Sequence, residues 1–231
     1  TIPRDESAQL TALPGIRHGF FGRQGGASTG VFASLNMSAS TGDDGDVVAR
    51  NRADAMSALG FSPPALATVR QVHSSRVAII ATGDTAGVEA DAMVTNRQGL
   101  VLGILTADCA PILFADPAAG VIGAAHAGWK GATNSIISAT VAAMVELGAT
   151  PSAIVAAIGP AISGTSYEVG PQFAADLLAR HPDAAHRIST PSGGREHFDL
   201  PGFVADRLRR AGLQQVDDLG ICTYAEPEKY F

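Results

Sequence analysis

Residues 105–126 read LTADCAPILFADPAAGVIGAAH, and this stretch decides the fold. DPAAG, at 116–120, sets Asp-Pro ahead of a glycine, a signal for chain reversal. The apolar runs on either side, PILFA and GVIGAAH, have the length and composition of buried strands. Together they predict an antiparallel hairpin. Pairing Ala115 with Val121 sets His126 opposite Ala110 and within about one residue of Cys109, at roughly 5 Å across the strands. A slip of one residue would turn a side chain to the other face. Local geometry thus brings a thiol and an imidazole together.

The neighbours of His126 are only Ala and Gly, so nothing crowds it. Such a histidine is either a buried imidazole with a backbone partner or a reachable ligand. Beside Cys109 it admits two chemistries. In one, the imidazole promotes thiolate formation in a nucleophile–base pair for acyl transfer. In the other, both side chains ligate a metal, with His73 of QVHSSRV, read as part of a strand, as the third donor. One thiolate and two neutral imidazoles suit zinc and leave a position open for water. The bland reading of each residue is a packed core side chain.

Working outward, 231 residues with 46% hydrophobic content supply a core for one domain, taken as residues 1–231. Two cysteines give no disulfide framework, and Cys222 in GICTYAE is expected to be a buried structural thiol. No N-terminal apolar run resembles a signal peptide, and the longest apolar run, GLVLGIL, is far short of the roughly 20 residues that span a bilayer. The expected protein is cytoplasmic, reduced and free of the membrane. A net charge of −6 argues against a nucleic-acid polymer as partner and leaves room for a small anion.

Residues 22–46 are rich in Gly, Ser and Thr and lack periodicity, a length and composition that suit a lid. DVVARNRADAMSALG predicts a helix with Asp46 as N-cap and Gly60 as stop. ALATVRQVHSSRVAIIA and GLVLGILTA read as strands, and GATNSIISATVAAMVELG as one helix with Ile137, Val141, Met144 and Val145 on its apolar stripe. Pro171 and Pro201 mark further helix starts. Strands clustered centrally, with helices before and after, give an α+β class.

QVHSSRV, ADAMVTN, LTADCAPILFAD, AAHAGWKG, IGPAISGTSYEVG and ICT occur in that order. In combination they resemble the laccase-domain family, also called multicopper polyphenol oxidase or peptidoglycan-editing-factor proteins, from HGFFGRQGG to the C-terminus. The resemblance implies a four-layer α/β/β/α sandwich with mixed sheets and a metal held by His73, Cys109 and His126. It also implies purine nucleoside chemistry: phosphorolysis of adenosine, inosine and methylthioadenosine, and adenosine deamination. Lys130 stands in HAGWKG where Arg is common, Arg23 is retained, and relatives continue past Phe231 through a Ser/Arg-containing tail.

Phosphorolysis requires cations for phosphate. Arg23 in the Gly-rich loop, Arg52 on the first long helix and Lys130 are the candidates, and Ser34 in SLN is a candidate hydroxyl donor. Asp108 beside Cys109 is a proton carrier or an orienting hydrogen-bond partner. Trp129 reads as packing, and Glu168 as a surface charge or a site residue. The oxidase label meets a ligand count. Six histidines, no two separated by a single residue, are too few for a four-copper centre. A single copper at His73, Cys109 and His126 stays an alternative to zinc. A cysteine amidase acting on peptidoglycan precursors and a non-catalytic nucleoside- or metal-binding module are the other readings.

Overall fold

The computed structural model describes residues 2–231. The N-terminal segment pairs β1 (Arg4–Asp5) with β2 (Phe20–Phe21) around the short helix α1 (Ala8–Thr11). After the long loop come α2 (Gly45–Ala58), β3 (Leu66–Thr68), β4 (Val77–Ile79), β5 (Ala92–Thr95) and β6 (Val101–Gly103). The hairpin is β7 (Ala110–Asp116) and β8 (Val121–Ala127). Helices α3 (Trp129–Thr133) and α4 (Ile136–Glu146) lead to β9 (Val155–Ile158). The remainder holds β10 (Glu168–Val169), α5 (Pro171–Arg180), β11 (Ile188–Ser189), β12 (Glu196–Phe198), α6 (Leu200–Arg210) and β13 (Gln215–Asp218).

Six strands form the central sheet in the order β13-β9-β7-β8-β5-β4. It is mixed: β13 runs parallel to β9 and β4 parallel to β5, while β9, β7, β8 and β5 alternate antiparallel. Side chains alternate across it, as strand geometry requires. Ile112, Phe114, Val121 and Ala125 face α4 and α6 in the main core. Leu113, Ala115, Ile122 and Met93 face the other way, under α1 and the parallel pair β3–β6. Helix α2 lies against the turn that enters β3. The architecture is α+β with mixed sheets. Its second β layer consists of short pairs rather than a second full sheet.

The hairpin forms with its register moved by one from the sequence expectation. Ala115 pairs with Ile122, and His126 stands opposite Pro111 rather than Ala110. The cause is the turn. Asp116 pairs with Val121, leaving a four-residue loop, and its buried carboxylate accepts from the N–H groups of Ala118, Ala119 and Thr150. That second grip from outside the hairpin fixes where the strand stops.

Other elements depart from expectation for equally local reasons. Asp44, not Asp46, caps α2, because its side chain accepts from the N–H groups of Asp46 and Val47. The single helix expected over 131–148 breaks at Ser135, which adopts φ 74°. On α4, Ile136, Ile137, Val141 and Met144 are buried, whereas Val145 is exposed. The strand expected over 65–81 is split into β3 and β4, so His73 lies in a turn with φ 57°. Residues 22–46 are pinned for most of their length. The buried Asn51 amide accepts from Ala27 N–H and donates to Ser28 and the Asn36 carbonyl, which leaves the tip at Val31 (82% exposed) as the free part. Among the described residues no helix is long and apolar enough to cross a membrane.

Candidate metal centre

The observed register, extended by one residue, sets Cys109 opposite Gly128 and on the same face as Pro111 and His126. Cys109 and His126 are thus diagonal neighbours on the sheet face away from α4 and α6. His73 arrives from the turn between β3 and β4, and its ring meets that of His126 edge-on at 4.7 Å. One ligand atom from each of His73, Cys109 and His126 lies within 4.8 Å of the others. The thiol and both imidazoles converge as the ligand reading requires.

Asp91, fully buried at the start of β5, holds this arrangement and was not singled out from the sequence. Its Oδ1 accepts from His126 Nδ1 at 2.9 Å and from the His73 N–H at 3.0 Å. Its Oδ2 accepts from the N–H groups of Val72 and Ser74 and from the Ser74 hydroxyl. Burial works against the carboxylate charge. The bonds from His126, Ser74 and Val72 outweigh it and keep the Asp91 pKa below the usual carboxylate range. An ionised carboxylate only accepts, so Nδ1 of His126 carries the proton and Nε2 keeps its lone pair for the site. Burial holds the His126 pKa below its usual value, the direction that keeps an imidazole neutral and ligating. A motif-level signal existed: ADAMVTN places a lone Asp at the mouth of an apolar strand.

Burial, reinforced by Asp108 and Asp91, pushes the Cys109 thiol up. That is the wrong direction for a free thiolate nucleophile and the usual situation of a thiol that a cation must deprotonate. Room for an ion comes from Gly128. A Cβ built there would stand 2.9 Å from Cys109 Sγ, 3.2 Å from His73 Cδ2 and 3.7 Å from His126 Nε2. The three donors therefore face one small space that a methyl group would fill. The donor set, its spacing and this cradle fit a four-coordinate divalent cation.

The three residues border a cavity of about 820 Å³, walled mainly by apolar side chains such as Phe20, Phe32, Leu35, Met56 and Leu105. Asp108 lines it and accepts from the Thr223 hydroxyl at 2.7 Å, while its backbone carbonyl accepts from Ile162. Arg52 also lines it, the one Lys or Arg among the described lining residues. Its Nε donates to the Met37 carbonyl at 2.8 Å, and burial lowers its pKa. Gln71 brackets the Leu105 backbone with two hydrogen bonds, joining the His73 turn to the segment that carries Cys109.

The remaining sequence candidates are not among the residues that line this cavity, although Gly22, Leu35, Thr223 and Phe231 beside some of them are. Arg23 donates to the carbonyls of Ala33 and Pro227 and stacks over the Phe231 ring, so its hydrogen bonds go to the chain itself. The Ser34 hydroxyl donates to the Arg23 carbonyl and accepts from Gly26 N–H. Lys130 is exposed above the Trp129 ring, and Trp129 packs against Phe173. Glu168 pairs with Arg195 at the surface. Cys222 is half-buried rather than buried. It accepts from Ser163 N–H and contacts the Ser166 hydroxyl, and such donors, working against burial, bring its pKa to about 7.

The description "multi-copper polyphenol oxidoreductase laccase" belongs to a family model that matches residues 17–231. A Corynebacterium glutamicum protein named purine nucleoside phosphorylase is 39% identical over 218 residues, covering 93% of this chain and 87% of that protein. A Deinococcus radiodurans protein of the same name is 43% identical over 208 residues, 90% of this chain and 80% of its own length. Among solved structures, YlmD from Geobacillus stearothermophilus has a TM-score of 0.86 at 28% identity, covering 99% of this chain and 92% of its own. A Neisseria meningitidis protein has a TM-score of 0.81 at 34% identity, with coverages of 90% and 84%. With a match spanning nearly its whole length, the chain belongs to the multi-copper polyphenol oxidoreductase laccase family.

Proposed function

We propose that this chain is a zinc-dependent purine nucleoside phosphorylase, acting as one domain on adenosine, inosine and methylthioadenosine, with adenosine deamination as a second outcome. The observation that carries the reading is the convergence of His73, Cys109 and His126 on one space at the wall of the large, mostly apolar cavity. When bound there, a divalent cation supplies Lewis-acid polarisation and lowers the pKa of water. Zinc is favoured over copper by the donor set and by the absence of any second such cluster among the described residues.

The chain's own residues divide the remaining work. His73, Cys109 and His126 would hold the ion, and all three line the cavity that would take the substrate. The apolar walls take a purine and exclude water from its faces. Arg52, with no carboxylate partner among the described ion pairs, supplies the positive charge that draws phosphate. A phosphate oxygen then bonds to ribose C1′ as the bond to the base breaks, giving the free base and ribose 1-phosphate. Asp108, held by Thr223, stands beside Cys109 to carry the proton that the departing base gains. Relatives named purine nucleoside phosphorylase at 36–43% identity support this reading. The raised Cys109 thiol disfavours the amidase reading.

The test is direct. Zinc-loaded protein with adenosine, inosine or methylthioadenosine and phosphate yields free base and a sugar phosphate. Inosine formed from adenosine without phosphate reports deamination. No product above that of a Cys109→Ala control refutes the proposal.

A further inference from the structure

We propose that Asp91 is the positioning residue of the metal centre, one carboxylate that sets the ring of His126 and the backbone of His73 at the same time. The inference rests on the metal reading of the His73, Cys109 and His126 cluster. A single oxygen, Oδ1, accepts both from His126 Nδ1 at 2.9 Å and from the His73 N–H at 3.0 Å. The first bond fixes which imidazole nitrogen faces the site, and the second fixes where the other histidine leaves the backbone. His73 sits at φ 57°, a conformation that ordinary residues avoid. Three consecutive N–H groups, those of Val72, His73 and Ser74, close on the Asp91 carboxylate, and that grip holds the turn in this shape.

The backbone repeats the coupling. The His126 N–H donates to the Asp91 carbonyl at 2.7 Å, so β8 and β5 are locked together at the ligand itself. Cys109 takes no bond from Asp91 and is placed instead by β7. The centre is therefore built in two parts, a histidine pair bound to one buried acid and a thiol delivered by the hairpin.

Asp91→Asn tests this beside Asp116→Asn. Asp116 is a comparison of like kind: a buried carboxylate of the same hairpin that accepts three backbone N–H bonds but touches no ligand. Zinc affinity is measured by chelator competition, cobalt(II) absorption reports ligand geometry, and urea unfolding of metal-free protein reports fold integrity. Whichever way the new amide turns, its NH2 faces groups that already donate. Asp91→Asn is expected to weaken zinc about 10- to 100-fold and to shift the cobalt bands, while Asp116→Asn loses stability but binds zinc within threefold of the wild type.

A folded Asp91→Asn variant with wild-type affinity and cobalt bands overturns the proposal and leaves the metal reading intact. If Asp91→Asn does not fold, long-range proton–nitrogen NMR of metal-free wild type decides: a proton on Nδ1 of His126 sustains the proposal, and one on Nε2 overturns it. Wild-type protein that takes up no divalent metal sinks the metal reading and this inference together.

Discussion

Gly128→Ala adds one methyl group in the space that His73, Cys109 and His126 share. Backbone strain is no obstacle, since Gly128 has φ −68° and ψ 164°, an extended conformation open to any residue. The new Cβ would stand 2.9 Å from Cys109 Sγ, 3.2 Å from His73 Cδ2 and 3.7 Å from His126 Nε2. Carbon and sulfur normally keep more than about 3.5 Å apart, so the thiol and the His73 ring must swing outward. Both are side chains rather than backbone, which makes the move inexpensive for the metal-free fold. Gly128 is also the N-cap of α3, where alanine is poorer by about 0.5–1 kcal/mol. Overpacking adds about 1–2 kcal/mol, and the loss of glycine's freedom in the unfolded chain returns about 0.5 kcal/mol.

The net cost to metal-free stability is thus about 1–2.5 kcal/mol, which a domain of this size survives. Metal binding suffers more. A tetrahedral zinc needs its three donors at about 2.0–2.3 Å, and the methyl occupies the space between them. We expect zinc affinity to fall at least ~100-fold, about 2.8 kcal/mol. Chelator competition measures the affinity, and urea unfolding in excess chelator measures the stability. A folded Gly128→Ala protein that binds zinc within threefold of wild type would refute the assignment of this cradle.

Arg52→Gln removes the one Lys or Arg among the described residues lining the cavity and should raise the KM for phosphate at least ~10-fold, with the nucleoside KM and zinc content nearly unchanged. Steady-state kinetics at varied phosphate check this, and an unaltered phosphate KM would place the anion elsewhere. Arg187 donates from Nε and Nη2 to Asp206 and from Nη1 to Asp199, each at 2.8 Å, which ties the segment before β11 to α6. Arg187→Gln should cost about 1–2 kcal/mol near neutral pH. The Arg187 bonds outweigh burial and hold the Asp206 pKa down, so this stability is fully present above the unfolded carboxylate value near 3.9. It fades as pH falls through the lower folded value. Urea midpoints from pH 3 to 7 test the sign: a gap between variant and wild type that widens toward acid contradicts it.

The hairpin and its two site residues were legible because turn chemistry and alternation act over about 20 residues. The register was not, since Thr150, distant in sequence, helps Asp116 to end the turn. Asp91 escaped notice for a related reason. ADAMVTN shows a lone acid at the mouth of an apolar strand, but its partners, His73 and His126, come from other segments. Arg23, Ser34 and Lys130 show the converse. Charge and hydroxyl chemistry marked them as candidates, yet the bonds of Arg23 and Ser34 end in carbonyls of their own loop and of the C-terminal segment. Lys130 points to solvent, while Arg52 faces the cavity because α2 buries one side against the loop.

The ribbon made by β7 and β8 has consequences for engineering. One side of it is the floor under α4 and α6, and the other carries His126 and leads into Cys109. Neighbouring positions such as Ala125 and His126 share a backbone but answer to opposite demands. A substitution that tightens the helix side by a few tenths of an ångström would tilt the imidazole on the reverse. Stability on the helix side and alignment of the candidate donors thus share one backbone, and stabilising substitutions are best confined to strands that bear no donor.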